Sequence, residues 1–377
     1  MSLSRRRLLQ FTAASLGSAR LAFAAAPAHG EQRLAVVMLR GALDGLAAVP
    51  AVGDPAWAAL RPAAAGDASP LPLDGPFALH PRLAQLHRWY GEGTLRIVHA
   101  VASPYRERSH FDAQQLLESG GTRPFELSTG WLGRALQAAG GRGVALSPAL
   151  PLALRGASGA SSWAPTREAP ADDDLLARVG QLYDADPQLG PMFRQALEQR
   201  SGSMAPAAGG AGFVALATQA GRFLAAPDGP SVAWLDTSGW DTHTQQAPRL
   251  ARLLGSLDDG LAALRAALGE RCWATTTVLV MTEFGRSAVL NGSQGSDHGT
   301  GGVAFVAGGQ VAGGRVQADW PGLARAQLLD GRDLRPTLDL RALIGPVLQR
   351  QFGLSGARLA QDVLPGTPRP LTDLWRA

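Results

Sequence analysis

Five short apolar runs recur along this chain, separated by stretches with helical spacing. Leu34–Leu39 is apolar throughout, as in a strand buried on both faces. Ser231–Leu235, Thr277–Met281 and Val303–Ala307 are similar, and Leu95–Val101 reads as a strand that also holds Arg96 and His99. His80–Tyr90 spaces Leu83, Leu86 and Trp89 as one helical face, and Leu250–Leu268 is strongly periodic. Further helices are expected at Phe111–Ser119, Gly130–Ala139, within 173–200, at Phe213–Ala225 and at Asp339–Gln351. Strands alternating with helices imply an α/β fold: a mainly parallel sheet with helices on both faces. Residues 51–76 and 140–170 read as irregular, and Gly202–Gly212 as a flexible connection. Without an internal repeat or a visible boundary, residues 27–377 are expected to form a single domain.

Residues 1–26 stand apart. Ser4–Gln10, containing Arg5, Arg6 and Arg7, fits a twin-arginine export signal. The weakly apolar Phe11–Ala26 follows, with small-residue cleavage points at Ala22-Phe23-Ala24 or Ala24-Ala25-Ala26. An amphipathic helix that stays attached is the other reading, and Arg20 inside the apolar stretch favours it. Removing residues 1–26 lowers the formal charge from +4 to zero, which removes the basis for a nucleic-acid binder. No other stretch is long and apolar enough for a membrane span. The mature chain is therefore expected to be periplasmic or otherwise exported, with the twin-arginine export machinery as one partner. Cys272, the one cysteine, reads as a small buried hydrophobe.

Chemistry gathers where the apolar runs end. Arg40-Gly41-Ala42-Leu43-Asp44-Gly45 follows the first run, and Gly239-Trp240-Asp241-Thr242-His243 follows the third. Thr282-Glu283-Phe284-Gly285-Arg286 follows the fourth, and Gly295-Ser296-Asp297-His298-Gly299 comes before the fifth. A parallel sheet gathers such segments along one edge, where ligands of open α/β sheets collect. Asp44, Asp241, His243, Glu283, Asp297 and His298 are thus candidate ligands of one or two divalent ions, with Zn, Mn, Ca and Mg all open. Asp44 also suits a turn cap, and Asp297-His298 suits the ordering of a glycine-rich loop. Ser109-His110 opens a helix, so Ser109 is a candidate nucleophile with His110 beside it, or a plain N-cap. Arg108 and Arg286 are placed to clamp an anionic group.

These motifs resemble a bacterial family of twin-arginine-exported proteins designated domain of unknown function 1501. The resemblance runs over nearly the whole mature chain: the turn at Asp44, Ser109-His110-Phe111-Asp112, the two central motifs, the Asp297-His298-Gly299 loop, Gly331–Leu334 and Asp339–Arg341. That family is similar to the alkaline phosphatase and sulfatase superfamily. The resemblance implies an alkaline-phosphatase-like fold, metal-dependent hydrolysis or transfer of phosphate or related esters, and anionic small-molecule or polymer ester substrates. It also implies Ser109 at the nucleophile position and Asp44, Asp241, His243, Glu283 and Asp297-His298 at ligand positions. Phe284 stands where the superfamily often has a histidine, and phenylalanine binds no metal. This departure supports the alternative, a catalytically inactive binding or scaffold protein of the cell envelope. Neither Ser103-Pro104 nor Cys272 fits the Cys/Ser-x-Pro-x-Arg pattern of sulfatases, so a phosphoester hydrolase is expected in preference to a formylglycine enzyme.

Overall fold

A computed structural model describes residues 32–62, 69–165, 173–201 except 185 and 188, and 212–376 except 367. The expected export signal, and the expected connection at 202–212 apart from Gly212, lie outside the described residues.

The five apolar runs form the long strands of one sheet, to which four short strands are added. They are β1 (Arg33–Arg40), β2 (Leu95–Ala102), β3 (Gly143–Ala145), β4 (Ala160–Ser162), β5 (Val232–Ser238), β6 (Thr276–Thr282), β7 (Gly302–Gly308), β8 (Arg315–Gln317) and β9 (Leu338–Asp339). Their order is β8-β2-β7-β6-β1-β5-β3-β4, with β9 paired to β2. β1 lies between β5 and β6 and is parallel to both, with Val36 opposite Trp234 on one side and Leu279 on the other. β7 alone is antiparallel to its neighbours, β2 and β6. The two short strands β3 and β4 fall inside 140–170, which the sequence marks as irregular; three-residue strands are too short to show a period.

Alternation along β1 divides the core. Ala35, Val37 and Leu39 face one side and Leu34, Val36 and Met38 the other, all fully buried. On the first side pack α1 (Ala84–Gly91) through Leu86 and Trp89, α6 (Phe213–Ala225) through Ala217 and Phe223, and α7 (Gln246–Trp273) through Leu254 and Leu261. On the second pack α3 (Trp131–Ala139) through Leu132 and Leu136, and α8 (Leu340–Phe352) through Leu343 and Val347. Other helices of ten residues or more are α2 (His110–Ser119), α4 (Asp173–Tyr183) and α5 (Leu189–Ser201). α7 begins four residues before its apolar period, at Gln246, which is buried and donates to Asp44 at 2.7 Å. Cys272 is only partly buried, at the margin of the first core. Among the described residues no helix is long and apolar enough to cross a membrane.

His99 on β2 carries a pH dependence of stability. Its ring is fully buried, stacked on Phe77 at 5.3 Å and edge-on to Trp320 at 5.2 Å. Nε2 donates to the Val49 carbonyl at 2.9 Å, and Nδ1 accepts from the Ala100 N–H at 2.8 Å. The neutral ring is thereby satisfied, and burial pushes its pKa down from 6.5 to about 4. Because the unfolded chain binds this proton more readily, the contribution is full above pH 6.5 and is lost as pH falls towards 4. It amounts to about 3 kcal/mol. Urea unfolding across this range should therefore show His99→Gln less stable at pH 7 but with a shallower acid loss; equal slopes would dismiss His99 as the cause.

Candidate functional site

The carboxyl ends of β1, β5 and β6 carry Gly41, Asp241 and Glu283 to one edge of the sheet. The antiparallel direction of β7 brings its start, and with it the loop bearing His298, to the same edge. Short pairing reinforces this: the Ser287 N–H donates to the Asp297 carbonyl at 2.8 Å, and the Gly299 N–H donates to the Gly285 carbonyl at 2.9 Å. The motif glycines permit the close approach. A Cβ at Gly295 would lie 2.1 Å from the His243 backbone, and Gly41 combines φ +116° with a 2.6 Å approach to the Asp241 nitrogen.

Three imidazoles meet at this edge. His298 Nε2 lies 3.1 Å from His110 Nε2 and 3.0 Å from His243 Nε2. Asp241 faces all three, 2.9 Å from His243 Nε2, 3.3 Å from His298 Nε2 and 3.5 Å from His110 Nε2. His110, Asp241 and His298 offer their ligand atoms within 4.8 Å of one another.

Each ring is held from behind. His298 Nδ1 donates to the Arg108 carbonyl at 2.9 Å, and Arg108 takes φ +61°, a left-handed conformation unusual for a long side chain. His110 Nδ1 lies 2.8 Å from Glu283 Oε1, and His243 Nδ1 lies 3.4 Å from Asp297 Oδ1. With Nδ1 acting as donor, the Nε2 lone pairs turn towards one another and towards a carboxylate. Such a donor set is satisfied by shared protons or by one cation. Imidazole nitrogens around a tetrahedral zinc stand roughly 3.3 Å apart, close to the separations here, so the residues fit a metal.

The carboxylates differ in role. Glu283 is fully buried, and its Oε1 accepts from the Gly41 N–H and the Gln114 amide, each at 2.8 Å, as well as facing His110. Burial opposes its ionisation, but these donors, His110 foremost, hold its pKa below the usual range. Burial likewise opposes charge on His110, yet Glu283 and then Asp241 raise its pKa. Burial and the neighbouring His110 lower that of His298. Asp241 remains depressed despite burial because Arg286 donates to it. The Asn291 amide, 3.0 Å from Asp297 Oδ1, keeps that carboxylate low.

Several expected members are placed differently. Asp44 does not join the cluster. Its Oδ1 caps the turn at the Ala47 N–H (3.1 Å), while Oδ2 accepts from Arg61 at 2.9 Å and from the Gln246 amide at 2.7 Å. Glu283 stands behind His110 rather than among the Nε2 atoms, and Asp297 stands behind His243. Arg286 is almost fully buried and bound to Asp241 and Ser296. Arg108 pairs with Asp333 at 2.8 Å and Asp330 at 3.5 Å. Neither arginine is presented as an anion clamp. Ser109 takes the N-cap position of α2 without a side-chain capping bond. Phe284 is buried and stacks on His110 at 4.8 Å, filling space beside the cluster with an apolar ring.

Sequence reasoning missed Gln114, Arg61 and Asn291, and gave Asp333, within the quoted run Gly331–Leu334, no role. Only Gln114 had a local signal: four residues after His110, it lies on the same helical face. Arg61 and Asp333 find their partners 17 and 225 residues away, and no local pattern reveals those pairings.

A family model described as "Protein of unknown function (DUF1501)" matches residues 98–364. No curated protein matches the sequence significantly. Among solved structures, the chain is similar to a 2-O GAG sulfatase at 11% identity, with 86% of this chain and 71% of that chain covered and a TM-score of 0.38. It is similar to murine ectonucleotide pyrophosphatase/phosphodiesterase 5 at 14% identity, with 68% and 57% covered and a TM-score of 0.33. It is also similar to a TAB5 alkaline phosphatase mutant with Mg bound, at 10% identity, with 76% and 94% covered and a TM-score of 0.35.

Proposed function

We propose that this chain, which belongs to the DUF1501 family of proteins of unknown function, is an exported metal-dependent hydrolase of phosphate or related esters. The convergence of three Nε2 atoms and the Asp241 carboxylate, each ring tethered through Nδ1, carries this reading. His110, His243, His298 and Asp241 would hold one divalent ion. Mixed imidazole and carboxylate donors favour Zn or Mn over Ca or Mg. A bound ion of this kind polarises an ester oxygen and lowers the pKa of a coordinated water.

The surrounding residues have supporting roles in this proposal. Glu283 and the Arg108 carbonyl fix the His110 and His298 rings, and Arg286 keeps Asp241 ionised and aimed. Ser109, partly exposed beside His110 at the start of a ten-residue helix, is the proposed nucleophile. Phe284 argues for one ion rather than two. A second reading, a binding or scaffold protein of the cell envelope that holds metal without turnover, is favoured by the internal pairing of Arg108 and Arg286.

The test is metal analysis of the exported full-length protein, followed by assays on aryl phosphate, phosphodiester and sulfate esters with Zn, Mn, Ca or Mg. One ion per chain with hydrolysis is expected. Metal without turnover would select the binding protein, and absence of stoichiometric metal would refute the metal centre.

A further inference from the structure

We propose that a second cleft, separate from the histidine cluster, binds a small amphiphilic anion with an apolar body and one carboxylate-type headgroup. The cleft has a volume of about 640 Å³ and lies between the turn following β1 and the start of α7. Leu46, Pro50, Trp57, Pro81, Leu250 and Leu290 supply its apolar walls. Its size and apolar character suit a drug-sized ligand, with a few polar groups fixing orientation.

Charge selects the headgroup. Among the described residues two guanidiniums line the cleft, Arg61 and Arg82, and no acidic side chain does. Arg61 is neutralised by Asp44, with both groups almost fully buried. Arg82 is exposed, and among the described residues it forms no ion pair. The described lining therefore carries one uncompensated positive charge beside an apolar space. An anionic amphiphile satisfies both features, and a cationic one is repelled.

None of His110, Asp241, His243 and His298 lines this cleft, so it is not the proposed ester site. The two share a wall. Gln245 and Gln246 follow the segment bearing His243, and Leu290 and Gln294 come just before Asp297. Gln246 also joins the two sides through hydrogen bonds: its amide donates to Asp44, its carbonyl accepts from Ser296, and Ser296 accepts from Arg286 beside Asp241.

Isothermal titration calorimetry of the full chain with dodecanoate, below its micellar concentration, tests the proposal. Saturable binding at one site is expected, with dodecyltrimethylammonium weaker by roughly fivefold, a preference that the exposed Arg82→Ala variant erases. Leu290→Trp, which fills the cleft with an indole, should abolish saturable binding while leaving metal content unchanged. Lack of saturable binding by the unmodified chain, equal binding of the cationic amphiphile, or undiminished binding by Leu290→Trp would each overturn the proposal.

Discussion

Replacing His298 with alanine should abolish stoichiometric metal binding and, with it, ester hydrolysis. His298 is the central ring: its Nε2 lies 3.1 Å and 3.0 Å from the other two imidazole nitrogens and 3.3 Å from Asp241. Its removal takes away the nitrogen shared by both other rings and leaves Asp241 alone between His110 and His243. Loss of a supporting partner behind a ligand typically weakens metal affinity by about 10–100-fold, and loss of the ligand itself should exceed that. Glu283→Gln supplies the graded comparison. It keeps the shape of the side chain but removes the charge facing His110 Nδ1, so a fall of roughly 10–100-fold is expected, with binding retained. Metal content after dialysis against a weak chelator, measured beside the melting temperature, separates these effects from unfolding. A His298→Ala protein that stays folded and keeps its full complement of metal would remove the cluster from consideration.

Arg61→Ala should be the most destabilising single change near the site, and it isolates the role of Asp44. Arg61 and Asp44 are 2% and 1% exposed and lie 2.9 Å apart. The guanidinium also donates to the carbonyls of Ala288 and Ser287, at 2.6 Å and 3.0 Å, tying the loop after β6 to the turn after β1. Removing one partner of a buried pair leaves an uncompensated charge and costs about 3–5 kcal/mol. The double change Arg61→Met with Asp44→Leu should recover much of this loss, because it removes both desolvated charges. Asp44→Asn, by contrast, should leave metal content unchanged. Urea unfolding with metal analysis decides the matter: a small stability loss in Arg61→Ala together with metal loss in Asp44→Asn would restore Asp44 as a ligand.

The sequence alone determined the five long strands and most helices, because burial on both faces leaves continuous apolar runs and burial on one face leaves a helical period. It also determined that acidic and imidazole residues cluster at strand ends. Asp241, His243 and His298 meet as that reading expects, and His110, taken from the sequence as a companion to Ser109, joins them. Tertiary structure decided how the remaining groups were used. Asp44, Glu283 and Asp297 look alike in the sequence, yet one is tied to Arg61 and Gln246, and the other two stand behind histidine rings. Arg108 and Arg286 look like anion clamps until Asp333 and Asp241 engage them. The direction of β7, which brings His298 to the shared edge, also follows only from its pairing with β2 and β6. Local patterns record whether a side chain is buried. Which atom of a buried polar group is already satisfied depends on partners far away in the chain, and that determines which nitrogens and oxygens are left to meet a ligand.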